Sequence, residues 1–176
     1  MTIDDIRIVR LTKDYNICEF DCGNQDLNEF LLVDSKDYQD KLLSVTYILE
    51  SGSEIVGYFS VLNDKISIQE SDKSTWRKIK TVFKHSKHRS DYPAVKVGKL
   101  AINIKYQGLD LGSNILDMIK LMFLDNNRTG CAFITVDALR EVLPFYLKNN
   151  FKMMMHRQID SDCETLQLYY SLNKLT

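Results

Sequence analysis

Several things are missing from this chain, and each absence removes a class of function. Neither sign of charge dominates, with 23 Lys and Arg against 24 Asp and Glu. Bulk charge therefore does not advertise nucleic acid or a membrane surface, and any basic surface must be local. No uninterrupted apolar run approaches the roughly 20 residues needed to span a bilayer, so no membrane-spanning segment is predicted. Met1–Ile6 has neither a basic n-region nor an apolar h-region, so no secretory signal is expected. The four cysteines, Cys18, Cys22, Cys131 and Cys163, form no CxxC pair. Cys18 and Cys22 are four apart, which would place them on one helix face. The three histidines, His85, His88 and His156, supply no matching set, so no metal is expected. Reduced thiols in a cytoplasmic protein are the simpler account. Internal repeats and low-complexity stretches are absent as well.

What is present is a length of 176 residues, enough for one domain with a real core. Ile6–Leu11 alternates like a strand. Apolar residues recur at helical spacing from Asn24 to Lys41, with Asn24 as the N-cap. Val45–Leu49 and Ile55–Val61 are β-rich runs around the turn Glu50–Glu54, which reads as a hairpin. Residues 69–92 are polar and read as an inserted helix plus loop. A strand over 94–104, a helix over 111–126, a strand over 132–136 and a helix near 139–149 follow. Phe151–Met155 and Glu164–Ser171 close the chain as a strand pair. Met153-Met154-Met155 reads as strand core or interface filler. The order predicts an α/β fold with a mixed sheet.

The most informative stretch is Gln107-Gly108-Leu109-Asp110-Leu111-Gly112-Ser113. A strand precedes it and a helix follows. A Gly-bearing turn that opens a helix leaves several N–H groups unpaired and aimed one way. The helix dipole adds to them, and the result suits a pyrophosphate.

Three segments resemble the GNAT superfamily of acyl-CoA-dependent N-acyltransferases. Leu100-Ala101-Ile102 followed by Tyr106–Gly112 resembles its Arg/Gln-x-x-Gly-x-Gly/Ala phosphate loop. Ile134-Thr135-Val136-Asp137-Ala138 resembles its splaying strand. Pro144–Phe151 resembles its Phe-Tyr-x-x-x-Gly-Phe ending. A fourth segment, Phe20–Leu31, resembles the Phe-x-Cys-Gly-x-x-x-Leu-x-x-Phe/Trp-Leu stretch of a bacterial branch that includes toxins acetylating aminoacyl-tRNA. The resemblance implies one GNAT domain over residues 1–176. Its sheet would be mostly antiparallel, with a splayed central strand pair and helices on both faces. It implies acetyl-CoA as the acetyl donor, held by the backbone of Leu100, Ala101 and Ile102 and by the loop Gln107, Gly108, Leu109, Asp110, Leu111, Gly112 and Ser113. A bulge N–H on the donor strand would stabilise charge on the thioester oxygen, and Gln107 would add its side-chain amide at the pyrophosphate. Aminoacyl-tRNA as acceptor and a small antitoxin protein as partner are implied in the same way, and a homodimer stays open.

The resemblance makes Tyr146 the acid that protonates the CoA sulfur; helical spacing alone makes it a core tyrosine beside Phe145 and Phe151. Two residues depart from the family pattern. Asp110 stands where the family has Gly. It is either an N-cap or a charge that repels pyrophosphate. Asn150 replaces the Gly before Phe151 and tolerates the left-handed conformation. No general base is evident: Asp137 either caps the following helix or orders a water. An α-amine, with a pKa near ~8, needs less help than a lysine. Arg77–Arg89 concentrates six Lys or Arg and two His. It is either a solvated face or an RNA contact, with Trp76 and Phe83 either in the core or stacked on bases. Two other functions remain open: a GNAT acting on a small amine or a protein N-terminus, and a non-catalytic GNAT-like domain that binds a partner.

Overall fold

The computed structural model describes residues 6–17, 19–81, 83, 89–125, 130–156 and 162–172. Along them run β1 (Arg7–Arg10), α1 (Gln25–Glu29), α2 (Ser35–Asp40), β2 (Val45–Ser51), β3 (Glu54–Ser67), α3 (Lys73–Lys80), β4 (Asp91–Ile102), α4 (Leu111–Leu124), β5 (Phe133–Leu139), α5 (Leu143–Lys148), β6 (Lys152–Met153) and β7 (Thr165–Ser171). The chain divides into two units, Met1–Leu62 with Val97–Asp117 and Asn63–Lys96 with Met118–Thr176. The boundary passes through β3, β4 and α4.

In the first unit the strand order is β1-β2-β3-β4. β1 and β3 both pair antiparallel with β2, with Arg7 opposite Glu50 and Val45 opposite Val61. The predicted helix over 24–41 begins and ends as expected but is not one α-helix. Asn24 caps it, its Oδ1 accepting from the Leu27 N–H at 3.1 Å. A single π-type turn, Phe30–Asp34, then separates α1 from α2. The wider turn rotates the apolar face, so that Phe30 and Leu31 are buried while Leu32 and Val33 stay exposed. Sequence periodicity cannot show such a turn, because a one-residue phase shift leaves the apolar spacing almost unchanged. Phe30 and Leu31 pack with Leu11, Phe20, Ile48, Ile55, Tyr58 and Ala101. Each such side chain contributes about 1.5–3 kcal/mol when fully buried.

The second unit has the order β3-β4-β5-β7-β6. Its β4–β5 ladder is parallel and runs only from Ala94–Phe133 to Lys96–Thr135. β5 continues to Leu139, paired antiparallel with β7 along its whole length. β5 is therefore longer than the predicted 132–136, and the predicted helix at 139–149 shortens to α5. Burial explains the overrun: Ala138 is buried on the same face as Ile134 and Val136, so the alternation continues past Val136. β3 likewise runs on to Ser67 and β4 starts earlier, at Asp91. The predicted insert contains α3, which buries Thr75, Trp76 and Ile79 against Ile66, Tyr92, Phe133 and Tyr169. Phe83 stacks on Tyr92 with ring centroids 4.3 Å apart. Trp76 is thus a core residue and Phe83 is half-buried against that core, not a platform for bases. Met153 and Met154 are buried, as the strand-core reading requires.

Gly57 marks a tight approach in the first unit. A Cβ there would lie 2.6 Å from the Ala101 carbonyl oxygen and 3.0 Å from Ile102 Cδ1. Gly57→Ala should therefore cost about 1–3 kcal/mol, the usual range for overpacking. Urea unfolding would read this as a lower midpoint at unchanged slope. An unchanged midpoint would show that β4 yields freely at this point.

Candidate functional site

The first unit presents the loop that follows β4. Asn103 fixes its start: its N–H donates to the Val56 carbonyl at 2.9 Å and its Nδ2 to the Ile55 carbonyl at 3.3 Å. A 3₁₀ turn, Ile104–Tyr106, leads into Gln107. The Gln107 side-chain nitrogen donates twice, to the carbonyls of Cys22 and Ile102, each at 2.9 Å. Both amide protons thus lie on the protein's own backbone and anchor the base of the loop. The sequence alone suggests that amide as a ligand contact; nothing in local spacing reveals a partner 85 residues away.

Gly108 has φ +79, and a Cβ there would meet no atom within 4 Å. Glycine is needed here for backbone conformation, not for space. Asp110 has φ +56, the conformation in which glycine is at ease and aspartate is tolerated. Its carbonyl accepts the Asn114 N–H at 3.3 Å, and its Oδ1 accepts from the Ser113 hydroxyl at 3.1 Å. The carboxylate thus bonds a side-chain hydroxyl in the first turn of its own helix, whereas the cap reading called for a bond to the helix N–H groups. Leu111, Ile115, Leu116 and Ile119 are buried and anchor α4. Among the described residues, the N–H groups of Gly108, Leu109, Leu111 and Gly112 have no acceptor. They open a 14-residue helix, whose dipole favours an anion at that end. On β4, Ala101 is buried and Leu100 and Ile102 are half-buried.

The second unit holds Tyr146, on α5. Pro144 stands in the first turn of that helix, where its missing N–H costs nothing. Asn150 ends it with φ +66, as the sequence predicted for an Asn in place of Gly. The Asn150 N–H donates to the Leu147 carbonyl and the Phe151 N–H to the Tyr146 carbonyl, both at 3.0 Å. This is the Schellman pattern, and its apolar contact is the Phe151 ring against Tyr146, 5.4 Å between centroids. Phe145 flanks Tyr146 at 5.1 Å. Burial pushes the Tyr146 hydroxyl up to about 12, so it stays protonated at any physiological pH. Among the described residues no hydrogen bond engages that hydroxyl.

A buried lysine adds to this end. Lys120 Nζ donates to the Asn149 carbonyl at 3.2 Å and lies 4.6 Å over the Tyr170 ring. A cation at a helix C-terminus is favourable, and Lys120 is the one basic residue on the buried stripe Ile115-Leu116-Ile119-Lys120. A lone cation on an apolar helix stripe is the signal by which the sequence could have marked it.

Asp137 is not the cap of the following helix. It lies inside β5, exposed, and pairs with Lys96 Nζ at 2.7 Å. Burial works against the Lys96 charge, but the hydrogen bond and charge of Asp137 outweigh it and raise its pKa. Of the basic run, Arg77 and Lys78 are exposed on α3, and Lys80 is half-buried. Lys84, His85, Lys87 and His88 lie outside the described residues, as does Cys18. Cys22 precedes α1 and is not helical; Cys22, Cys131 and Cys163 are free thiols. No helix among the described residues is long and apolar enough to cross a membrane.

The left-handed positions give a direct test. A β-branched side chain clashes in that conformation, at about 1–2 kcal/mol for an ordinary L-residue, whereas glycine does not. Asn150→Val should lower unfolding stability by that amount, and Asn150→Gly should leave it unchanged or raise it. Equal stability of the two variants in urea would remove the C-cap argument.

No protein-family model matches the chain. Solved structures do. A Tyr-to-Phe variant of KacT superposes with a TM-score of 0.77 at 23% identity, over 97% of this chain and 99% of that one. AtaTR bound with acetyl-CoA gives 0.75 at 22%, over 98% and 96%. AtaT complexed with acetyl-methionyl-tRNAfMet gives 0.73 at 22%, over 97% of both chains. The chain has the GNAT fold of these proteins, as the resemblance of its motifs implied.

Proposed function

We propose that this chain is an acyl-CoA-dependent N-acetyltransferase, one catalytic domain that moves acetyl from acetyl-CoA to the α-amine of an aminoacyl-tRNA and acts as a toxin. The observation that carries the reading is the loop after β4. Its N–H groups at Gly108, Leu109, Leu111 and Gly112, without an acceptor among the described residues, lie where α4 begins and would cradle a pyrophosphate. The fold supports it, since AtaT and KacT share that fold. AtaT has been captured with acetyl-methionyl-tRNAfMet, and AtaTR with acetyl-CoA.

Leu100, Ala101 and Ile102 would offer backbone groups to the pantetheine arm, and a bulge N–H there would face the thioester oxygen. Gln107 to Ser113 would hold the pyrophosphate, with Gln107 anchoring the loop. The thioester supplies the activated acetyl group. The amine nitrogen forms a bond to the acetyl carbon, the carbon–sulfur bond breaks, and one N–H proton ends on sulfur. Tyr146 would stand in the proton's path as the donor to sulfur. A phenol near 12 is a weak acid towards a thiolate, whose parent thiol titrates near ~8.5. Its contribution is therefore hydrogen-bond donation to the charge developing on sulfur. AtaT and KacT have each been solved as a Tyr-to-Phe variant, in keeping with a tyrosine that matters there.

Structures of AtaT bound to the C-terminus of the antitoxin AtaR, and of a KacTA–DNA complex, support a protein antitoxin as partner. The cytoplasm, where charged tRNA and acetyl-CoA coexist, is the proposed location. A second reading, transfer to a small amine or a protein N-terminus, draws on the near balance of 23 basic and 24 acidic residues. Labelled acetyl transfer to charged tRNA, beside a small-amine panel, separates the two. Calorimetry with acetyl-CoA tests both, because absence of binding at millimolar concentration ends the enzyme reading.

Tyr146→Phe should lower kcat about tenfold to a thousandfold with little change in CoA affinity, since general acids contribute about 10² to 10⁴ and this one is weak. The wild-type rate should rise through the amine pKa near ~8 and then stay level to pH ~10. The Tyr146→Phe profile should have the same shape at lower height. A wild-type rate that falls between pH 8 and 10, with a fall absent from Tyr146→Phe, would place the Tyr146 pKa far below the value its burial gives.

Arg77 and Lys78, the cations of the basic run that are exposed on α3, would meet RNA phosphates. Replacing both with Gln should flatten the salt dependence of KM for charged tRNA by roughly 0.7–0.9 log units for each phosphate no longer neutralised, with CoA binding untouched. An unchanged salt slope would remove α3 from the acceptor surface.

A further inference from the structure

The segment Asp21–Asn28 forms a network of hydrogen bonds that the proposed chemistry leaves unused. Asn28 sits at its centre. Its Oδ1 accepts the Cys22 N–H at 2.9 Å, and its Nδ2 donates to Asp21 Oδ1 at 2.8 Å. The same Asp21 oxygen accepts the Gly23 N–H at 2.8 Å. Gly23 has φ +81, so this turn needs glycine there. The Gly23 N–H first, and then the Asn28 amide, hold the Asp21 carboxyl below its usual range. These bonds leave the carbonyls of Asp21 and Cys22 pointing away from their own segment. Each carbonyl is taken by the segment after β4: the Ile104 N–H donates to Asp21 at 2.8 Å and Gln107 Nε2 donates to Cys22 at 2.9 Å.

We propose that Asp21–Asn28 is a positioning device for the donor loop, acting through Ile104 and Gln107 on how tightly acetyl-CoA is held. The proposal rests on the reading of residues 107–113 as the CoA loop. The physical reason lies in where the loop is anchored. Its N–H groups bind a pyrophosphate well only if they converge, and convergence depends on the path of the chain entering the loop. That path has two kinds of support. Asn103 ties it to β3, and the bonds at Ile104 and Gln107 tie it to the Cys22–Gly23 turn. The second tie holds only while Asn28 keeps the turn closed. The side chains of Asp21 and Asn28 would touch no reacting atom, so they are positioning residues. Their loss should appear in donor affinity and not in the chemical step.

The test breaks one hydrogen bond of this turn in the full chain and compares a variant that keeps it. Asn28→Asp keeps the acceptor for Cys22 N–H but sets a second carboxylate against Asp21. The CoA dissociation constant should rise about three- to tenfold, in line with loss of a hydrogen bond to a charged group. At saturating acetyl-CoA, kcat should stay within twofold. Amide exchange at Ile104 should accelerate. Asp21→Asn is the conservative control, because one amide oxygen can still accept from both Gly23 N–H and Asn28 Nδ2. Its affinity and exchange protection should stay within twofold of wild type. Gln107→Glu, which places a carboxylate against two carbonyls, should weaken CoA without involving Asn28. Unchanged affinity in Asn28→Asp, with Ile104 exchange faster, would overturn the proposal by showing that the loop does not need the turn. Affinity weakened equally in Asp21→Asn, which keeps both bonds, would overturn it by removing these hydrogen bonds as the route. If the wild type fails to bind CoA, the reading of the loop itself falls; the exchange data then still report separately whether the turn holds Ile104.

Discussion

The placement of β4 against β3 is the constraint on which the first unit depends. Gly57 leaves no room for a Cβ beside the Ala101 carbonyl, and at Gly98 a Cβ would lie 2.8 Å from Leu62 Cδ2. Each strand thus meets its neighbour through one glycine, Gly57 on β3 and Gly98 on β4. That closeness brings Asn103 to the Ile55 and Val56 carbonyls, which sets the direction in which the chain leaves β4. The loop and the start of α4 inherit that direction. A loop that binds through backbone N–H groups has few side-chain rotamers with which to correct an error of placement, so its precision must come from the strand behind it.

Two departures from the family pattern turn out to share one physical answer. Asp110 and Asn150 both stand where glycine is usual, and both adopt positive φ. Aspartate and asparagine are the side chains that accept this conformation at least cost, because their short polar ends find local partners. Asp110 finds Ser113. At Asn150 the backbone is what closes the helix, through the N–H groups of Asn150 and Phe151. The backbone shape is thus preserved while the residue changes. At Asp110 the cost falls on charge and not on shape. A carboxylate at the start of α4 is favourable to the free helix and competes with an anionic ligand for the same positive end.

The same distinction explains what was legible in the sequence. Strand–turn–helix order over 94–124, the Asn24 cap and the left-handed Asn150 are local properties, and each appears where the sequence placed it. Properties that depend on distant partners did not show. Gln107 reads as an amide for the pyrophosphate until Cys22 and Ile102 are beside it. Asp137 reads as a cap because a helix was expected at Leu139, but antiparallel pairing with β7 carries β5 on to that residue. The π-type turn at Phe30 leaves helical spacing intact and changes only which face is buried. Trp76 and Phe83, set among cations, invite a nucleic-acid reading; the aromatic cluster with Tyr92 and Phe133 places Trp76 in the core and Phe83 against it.

Tyr146 shows how packing can select a chemical role. Its ring is held between Phe145 and Phe151 by a helix that ends one turn later, and Lys120 stabilises the carbonyl end of that helix from α4. Removing the ring from water disfavours the phenolate, and this raises its pKa. A phenol so raised cannot serve as a base near neutral pH, because its charged form is absent. It can only donate. The aromatic packing that makes Tyr146 look like an ordinary core residue is therefore also what keeps its hydroxyl protonated, so a core position is compatible with the hydrogen-bond donation proposed for it.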